Sequence, residues 1–193
     1  MSKDISRKQL FVAVTGAQGV GKSTFCERLR LEVENLIGEP VALLAGLGEQ
    51  VRSQGIVVGS EATEAGVAAI YAAHMLRERN APPGIVILDR CAVDAAAYVR
   101  GLPSIPWAHR ALYHETSWLM SRRLSYVAHL TRTGIFAPTQ VVHETEDFRS
   151  TIAQSIPGII QEFGLFSDDL YAADQDAVPV AVSKIIQLWQ TRD

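Results

Sequence analysis

Gly16-Ala17-Gln18-Gly19-Val20-Gly21-Lys22-Ser23-Thr24 is the stretch of this chain whose residue types and spacing are best suited to chemistry. It fits G-x-x-x-x-G-K-[ST], a pattern that cradles phosphates. The glycines let backbone N–H groups turn toward an anion, and the start of a helix adds partial positive charge. Lys22 can reach the β- and γ-phosphates, and the Ser23 hydroxyl can take a place on Mg²⁺. The dinucleotide pattern G-x-G-x-x-G is not met, because the glycines stand at 16, 19 and 21. All nine residues, Gly16 to Thr24, are therefore assigned to a bound nucleoside triphosphate, ATP with Mg²⁺. A second chemical element is Asp89, which ends the apolar run Ile85-Val86-Ile87-Leu88. A carboxylate there either orients Mg²⁺, directly or through water, or caps the helix that follows. Arg90 beside it either enters the same cleft or pairs with a surface carboxylate.

The elements that must hold these groups are legible as alternating strands and helices. Leu10–Val14 is an apolar run that suits a strand buried on both faces, and Phe25, Leu29, Val33 and Leu36 recur at helical spacing. Val41–Ala45 reads as a second buried strand, followed by a loop over 46–59 that carries Glu49 and Arg52. Ser60 is a candidate cap for a helix over Glu61–Arg79, with Ala62, Ala65, Ala69, Ala73 and Leu76 as its packing stripe. After the strand Ile85–Leu88 come helices over Val93–Val99 and Trp107–Arg123, then a strand over Ser125–Leu130. Residues 131–144 show no periodicity. Ile152, Ile156, Ile159, Ile160 and Phe163 mark a helix kinked at Pro157 and ended by Gly164. Asp169–Ala173 is a weak strand, and a last helix begins near Pro179 with Val182, Ile185, Ile186 and Trp189 inward. The order predicts an α/β fold with a mainly parallel five-stranded sheet and helices on both faces. Ligands bind at the carboxyl ends of such strands. That rule gathers the phosphate loop, Glu49, Asp89-Arg90 and the loop after Leu130 at one edge.

Ile87-Leu88-Asp89-Arg90, with Asp94 and Tyr98 following, resembles the third-strand signature D-R-x-x-x-D-x-x-x-Y of P-loop nucleoside and nucleotide kinases. The similarity is closest to the ribosylnicotinamide-kinase-like group, the kinase domain of NadR-type proteins. That group carries Glu-x-x-Arg after its second strand, where this chain has Glu49-Gln50-Val51-Arg52. It also carries a late lid with an arginine before a helix, then a Gly and a fifth strand, an order matched by Arg149, Gly164 and Leu170-Tyr171. The resemblance implies a P-loop NTPase three-layer sandwich and transfer of the γ-phosphoryl of ATP to a hydroxyl. The first-choice acceptor is nucleoside-like, ribosylnicotinamide or a related ribonucleoside. Glu49 is then the carboxylate that takes the hydroxyl proton, or else a loop residue paired with Arg52; Asp94 is the substitute. Arg52, Arg90, Asp94 and Tyr98 join it on the substrate side. Segment 131–149 is the lid, from which Arg132 or Arg149 stabilises the transferring phosphoryl. The lid departs from the group, since His143-Glu144-Thr145-Glu146-Asp147-Phe148-Arg149 lacks the usual acidic-glycine step.

Two alternatives accompany that reading. A regulatory ATP- or GTP-binding module would share the phosphate loop, although the base-reading motif N-K-x-D of GTPases is missing from the sequence. A nucleoside monophosphate kinase would need arginines for the acceptor phosphate, with Arg52, Arg77, Arg90 and Arg100 as candidates. Tyr98 and Trp107 either pack or stack on an acceptor ring. No histidine is given a catalytic role, since His74, His109, His114, His129 and His143 lack ligand spacing; His74, on a helix face, belongs either to the core or to a pocket.

Composition bounds the rest. A chain of 193 residues with 48% hydrophobic and 20% charged residues suits one domain, taken as 1–193. A net charge of -3 argues against nucleic acid or an anionic membrane as partner, leaving a small-molecule acceptor. Cys26 and Cys91 are too few for a disulfide framework and read as buried thiols. The polar start, Met1–Lys8, lacks the apolar core of a secretory signal, so the expected location is cytoplasmic. No feature sets an oligomeric state.

Overall fold

The computed structural model describes residues 9–131 and 144–191. Among them the elements run β1 (Gln9–Thr15), α1 (Lys22–Ile37), β2 (Ala42–Leu44), α2 (Leu47–Ser53), α3 (Glu64–Arg79), β3 (Gly84–Asp89), α4 (Ala92–Gly101), α5 (Trp107–Ser121), β4 (Leu124–Thr131), α6 (Glu146–Glu162), β5 (Ser167–Tyr171) and α7 (Ala177–Gln190). Arg132 and most of the expected lid, residues 132–143, lie outside the described residues.

The sheet has the order β2-β3-β1-β4-β5, and every pairing is parallel. β1 and β3 are central, and their side chains are buried on both faces, as their unbroken apolar runs require. Alternation assigns those side chains to two cores. Leu10, Val12, Val14, Ile85 and Ile87 pack against α1 and α7. Phe11, Ala13, Val86 and Leu88 face α4 and α6 on the other side. A third cluster, with Val67, Tyr71, Val99, Leu102 and Ile105, joins α3 to α4 beyond the second layer. Parallel strands bring their last residues, Thr15, Leu44, Asp89, Thr131 and Tyr171, to one edge of the sheet.

Several expectations are corrected. β2 is a three-residue edge strand and is only half-buried, because no strand covers its outer side. On α1 the exposed residue is Leu36, and Ile37 packs on the core in its place. The loop over 46–59 contains α2. Ser60 is not the N-cap of α3; the helix begins at Glu64, and its N-cap Thr63 accepts a hydrogen bond on Oγ1 from the Gly66 amide at 3.3 Å. The alanine stripe is not the inner face of α3, because Ala65 and Leu76 are exposed. Gly66, Val67, Tyr71, His74 and Glu78 are buried instead. As expected, α6 carries Pro157 within it and stops before Gly164, which is left-handed at φ 63°; the proline lies on the exposed side of the helix. There water can meet the carbonyl that loses its helical partner.

Candidate functional site

The phosphate loop links β1 to α1 at the carboxyl edge. Gly16 has φ +144°, and any Cβ there would collide with the Leu130 carbonyl oxygen at the end of β4. Only glycine allows that approach. Ala17 and Val20 turn into the core and anchor the loop, while Gln18, Gly19, Gly21, Lys22, Ser23 and Thr24 line a cavity. α1 starts behind Gly21, at φ 92°, with no side-chain cap, an arrangement that leaves a helix N-terminus to an anion. Lys22 is buried, and its Nζ donates to the carbonyl oxygens of Gly16 at 2.7 Å and Ala17 at 2.6 Å. Burial lowers its pKa to about 7, and the neighbouring Arg90 charge acts in the same direction.

Ser23 Oγ donates to Asp89 Oδ2 at 2.7 Å, so the two oxygen donors assigned to Mg²⁺ meet at the cavity wall. Asp89 does not cap α4. The N-cap is Cys91, whose amide donates to Asp94 Oδ2 at 2.9 Å. Hard oxygen ligands in this number suit Mg²⁺, which takes one or two protein oxygens and fills its shell with phosphate and water. Among the described residues no group of three or more His, Cys, Asp or Glu is placed to hold a metal.

Arg90 turns into the cleft. It has φ 71°, a left-handed conformation that costs energy for a non-glycine residue and recurs at functional sites. Its amide donates to Val14 O at 3.1 Å, and its carbonyl accepts from Arg77 Nη2. Its guanidinium donates to Gln18 Oε1 at 2.7 Å and to the Tyr98 hydroxyl at 3.4 Å, and stands 3.9 Å from Asp94 Oδ1. Arg90 therefore joins the phosphate loop to α4. Tyr98 in turn donates to Glu144 Oε1 at 3.0 Å, and burial raises its pKa to about 12.

A single cavity of about 350 Å³ runs from the phosphate loop to a second compartment. Glu49 and Arg52 of α2 line it, as do Val67, Ile70 and Tyr71 of α3, Ala95 and Val99 of α4, and Leu102 at the end of α4. Gly66 also lies in this wall: a Cβ there would collide with the Val57 carbonyl, so glycine lets the 54–59 loop close over α3. Glu49 is exposed in the first turn of α2, and no ion pair joins it to Arg52 among the described residues. Asp94 keeps Oδ1 without a hydrogen bond, although its other oxygen caps α4.

Other expected residues fall elsewhere. Arg149 is half-buried in the first turn of α6, outside the described cavity wall. Arg77 is committed to backbone, donating also to Leu44 O at 3.1 Å, and Arg100 pairs with Glu162. Neither lines the cavity, so of the four arginines considered for an acceptor phosphate only Arg52 and Arg90 do. Trp107 is 82% exposed beyond α4 and cannot stack on a ring in this cavity. Cys26 and Cys91 are buried thiols with pKa values raised by desolvation. Sequence reasoning placed His74 in core or pocket, and it is buried in the cavity wall, but it missed Glu144 and the apolar wall of α3. A heptad-like reading of Val67, Tyr71, His74 and Glu78 would have found that face.

No protein-family model matches the sequence, and no curated protein matches it. Solved structures match its fold. A NadR protein in complex with NR superposes with a TM-score of 0.74 at 17% identity, over 94% of this chain and 52% of that one. A NadR protein in complex with NAD and AMP-PNP gives 0.69 at 18% identity, covering 93% and 49%. Thymidylate kinase from Ehrlichia chaffeensis gives 0.63 at 16% identity, covering 94% and 98%. This chain thus spans about half the length of the NadR proteins. At such identities the likeness is one of fold, and the fold is that of P-loop kinases. No helix among the described residues is long and apolar enough to cross a membrane.

Proposed function

We propose that this protein is an ATP-dependent small-molecule kinase that phosphorylates a hydroxyl of a nucleoside-like acceptor, with ribosylnicotinamide or a related ribonucleoside as the first choice. One observation carries the reading: the cavity that begins at the phosphate loop continues into a second compartment with a carboxylate, an arginine and an apolar wall. A nucleotide switch has no use for such a compartment, whereas a transferase must hold two substrates in line.

The phosphate-loop amides and Lys22 hold the β- and γ-phosphates, and Arg90, tied to Gln18, neutralises charge on the transferring group. Ser23 and Asp89 would hold Mg²⁺, which supplies charge neutralisation to the phosphates when bound. Glu49 accepts the proton of the acceptor hydroxyl as its oxygen bonds to the γ-phosphorus and the bond to ADP breaks. The acceptor is neutral or cationic by preference and carries no phosphate, because Arg77 and Arg100 are engaged elsewhere and a phosphate would find only Arg52 and Arg90. Tyr98 and the α3–α4 wall supply apolar surface for a ring.

A coupled ADP-release screen over nucleosides, nucleoside monophosphates and nicotinamide riboside tests this reading. A nucleoside or nicotinamide riboside is expected to stimulate release in the presence of Mg²⁺. Turnover with monophosphates alone, or release that no acceptor stimulates, overturns it; the second result favours the regulatory ATPase.

A further inference from the structure

His74 stands on the cavity face of α3, in line with Gly66, Val67, Ile70 and Tyr71, and is 3% exposed. Its Nδ1 lies 3.2 Å from Arg77 Nη2. A guanidinium only donates, so Nδ1 must offer its lone pair and the ring hydrogen must sit on Nε2. A second proton would set N–H against N–H. Desolvation, with the Arg77 and Arg90 charges, accordingly holds the His74 pKa well below the ordinary histidine value. Among the described residues no group meets Nε2. Arg77 does not need the histidine for its own placement, since it is already anchored on the carbonyls of Leu44 and Arg90. His74 Nε2 is not among the fully buried atoms that lack a partner, so it opens on the cavity, where a polar ring in an otherwise apolar row offers a hydrogen bond to whatever occupies it.

We propose that His74 is a substrate-binding residue whose Nε2–H is held out as a fixed donor to an uncharged oxygen of the acceptor, a sugar hydroxyl other than the reacting one. The assignment rests on the kinase reading above. Its position follows from the chain: Arg77 Nη2 bonds both His74 Nδ1 and the carbonyl of Arg90, so His74 sits at the carboxyl end of β3, beside the residue that follows Asp89. From His74 to Gly66 is eight residues, about 12 Å along the helix. That length takes a ribonucleoside with its sugar at the His74 end and its ring between Val67, Ile70 and Val99. A neutral donor selects a hydroxyl oxygen without adding to the charge that would draw a phosphate, and the neighbouring Arg77 is already committed to backbone carbonyls.

The test uses the geometry of two replacements. The amide nitrogen of Gln reaches the place of Nε2, whereas Asn reaches only Nδ1. With nicotinamide riboside and ATP, His74→Asn is expected to raise the acceptor KM by about tenfold or more, with the ATP KM unchanged, while His74→Gln stays within about threefold of wild type. Deoxyribose analogues should lose their disadvantage in His74→Asn. Equal acceptor KM values for the two variants, or an ATP KM that moves with them, overturns the assignment. A second readout is independent of turnover. Long-range ¹H–¹⁵N spectra of the unliganded protein, with the His74 signals identified by their loss in His74→Asn, should show the Nε2–H tautomer between about pH 6 and 8. An Nδ1–H ring or an imidazolium there refutes the proposal whatever the kinase assays give. Absence of turnover with every acceptor refutes the kinase reading instead.

Discussion

Lys22 should make ATP binding consume a proton. In the unliganded protein its ammonium is buried on the Gly16 and Ala17 carbonyls, and burial brings the pKa from 10.5 to about 7. At pH 8 the side chain is then about nine-tenths unprotonated, and at pH 6 about one-tenth. Phosphate oxygens beside Nζ favour the charged form and restore a pKa above the assay range. Binding should therefore take up about 0.9 proton at pH 8 and about 0.1 at pH 6, and affinity should fall nearly tenfold per unit as pH rises beyond 8. Calorimetry in buffers of different ionisation enthalpy measures the uptake, and Lys22→Met supplies the background from ATP itself. The same shift has a stability consequence. The native lysine loses its proton near pH 7 and the unfolded one near 10.5, so between those values the unfolded chain binds more protons and stability rises with pH. The rise is on the order of 5 kcal/mol across the window, an upper bound that Lys22→Met should abolish. Equal proton uptake by wild type and Lys22→Met at pH 8 would refute the reasoning.

Three further outcomes are expected. Asp89→Asn should lower kcat strongly and shift the Mg²⁺ dependence without unfolding the chain, since Asp94 and not Asp89 caps α4; a metal titration matching wild type would remove Asp89 from the site. Glu49→Gln should reduce kcat by about two orders of magnitude with ATP affinity retained, as Glu49 is exposed and holds no ion pair among the described residues; an unchanged kcat would transfer the base role to Asp94. Gly66→Ala should push the Val57 carbonyl off α3 and raise the acceptor KM while sparing the ATP KM, and parallel KM measurements decide whether the two compartments are separable.

The strength of each sequence signal tracked how local its physical cause was. Gly16–Thr24 announced itself because phosphate binding needs backbone conformations that particular residues supply at fixed spacing. β1 and β3 were legible because burial on both faces demands unbroken apolar runs. α3 misled, since alanines fit either side of a helix, and its inner face includes a histidine and a glutamate that composition assigns to the surface. α2 went unnoticed because seven residues between Gly46 and Gly55 carry too little periodicity to separate helix from loop.

From the sequence alone come the glycine-rich loop with its phosphate-loop pattern, the parallel α/β order and the edge at which Asp89 and Glu49 emerge, because each follows from short-range pattern and from the geometry of parallel strands. Tertiary structure decided which groups meet there. Ser23 and Asp89 are separated by 66 positions and Arg90 and Gln18 by 72, and no local rule encodes such contacts. The left-handed turn at Arg90, the withdrawal of Arg77 to two carbonyls and the burial of His74 against Arg77 arise from packing among β2, β3 and α3. A side chain's polarity is written in the sequence, but its partner is chosen only when distant segments are brought within about 3 Å of one another.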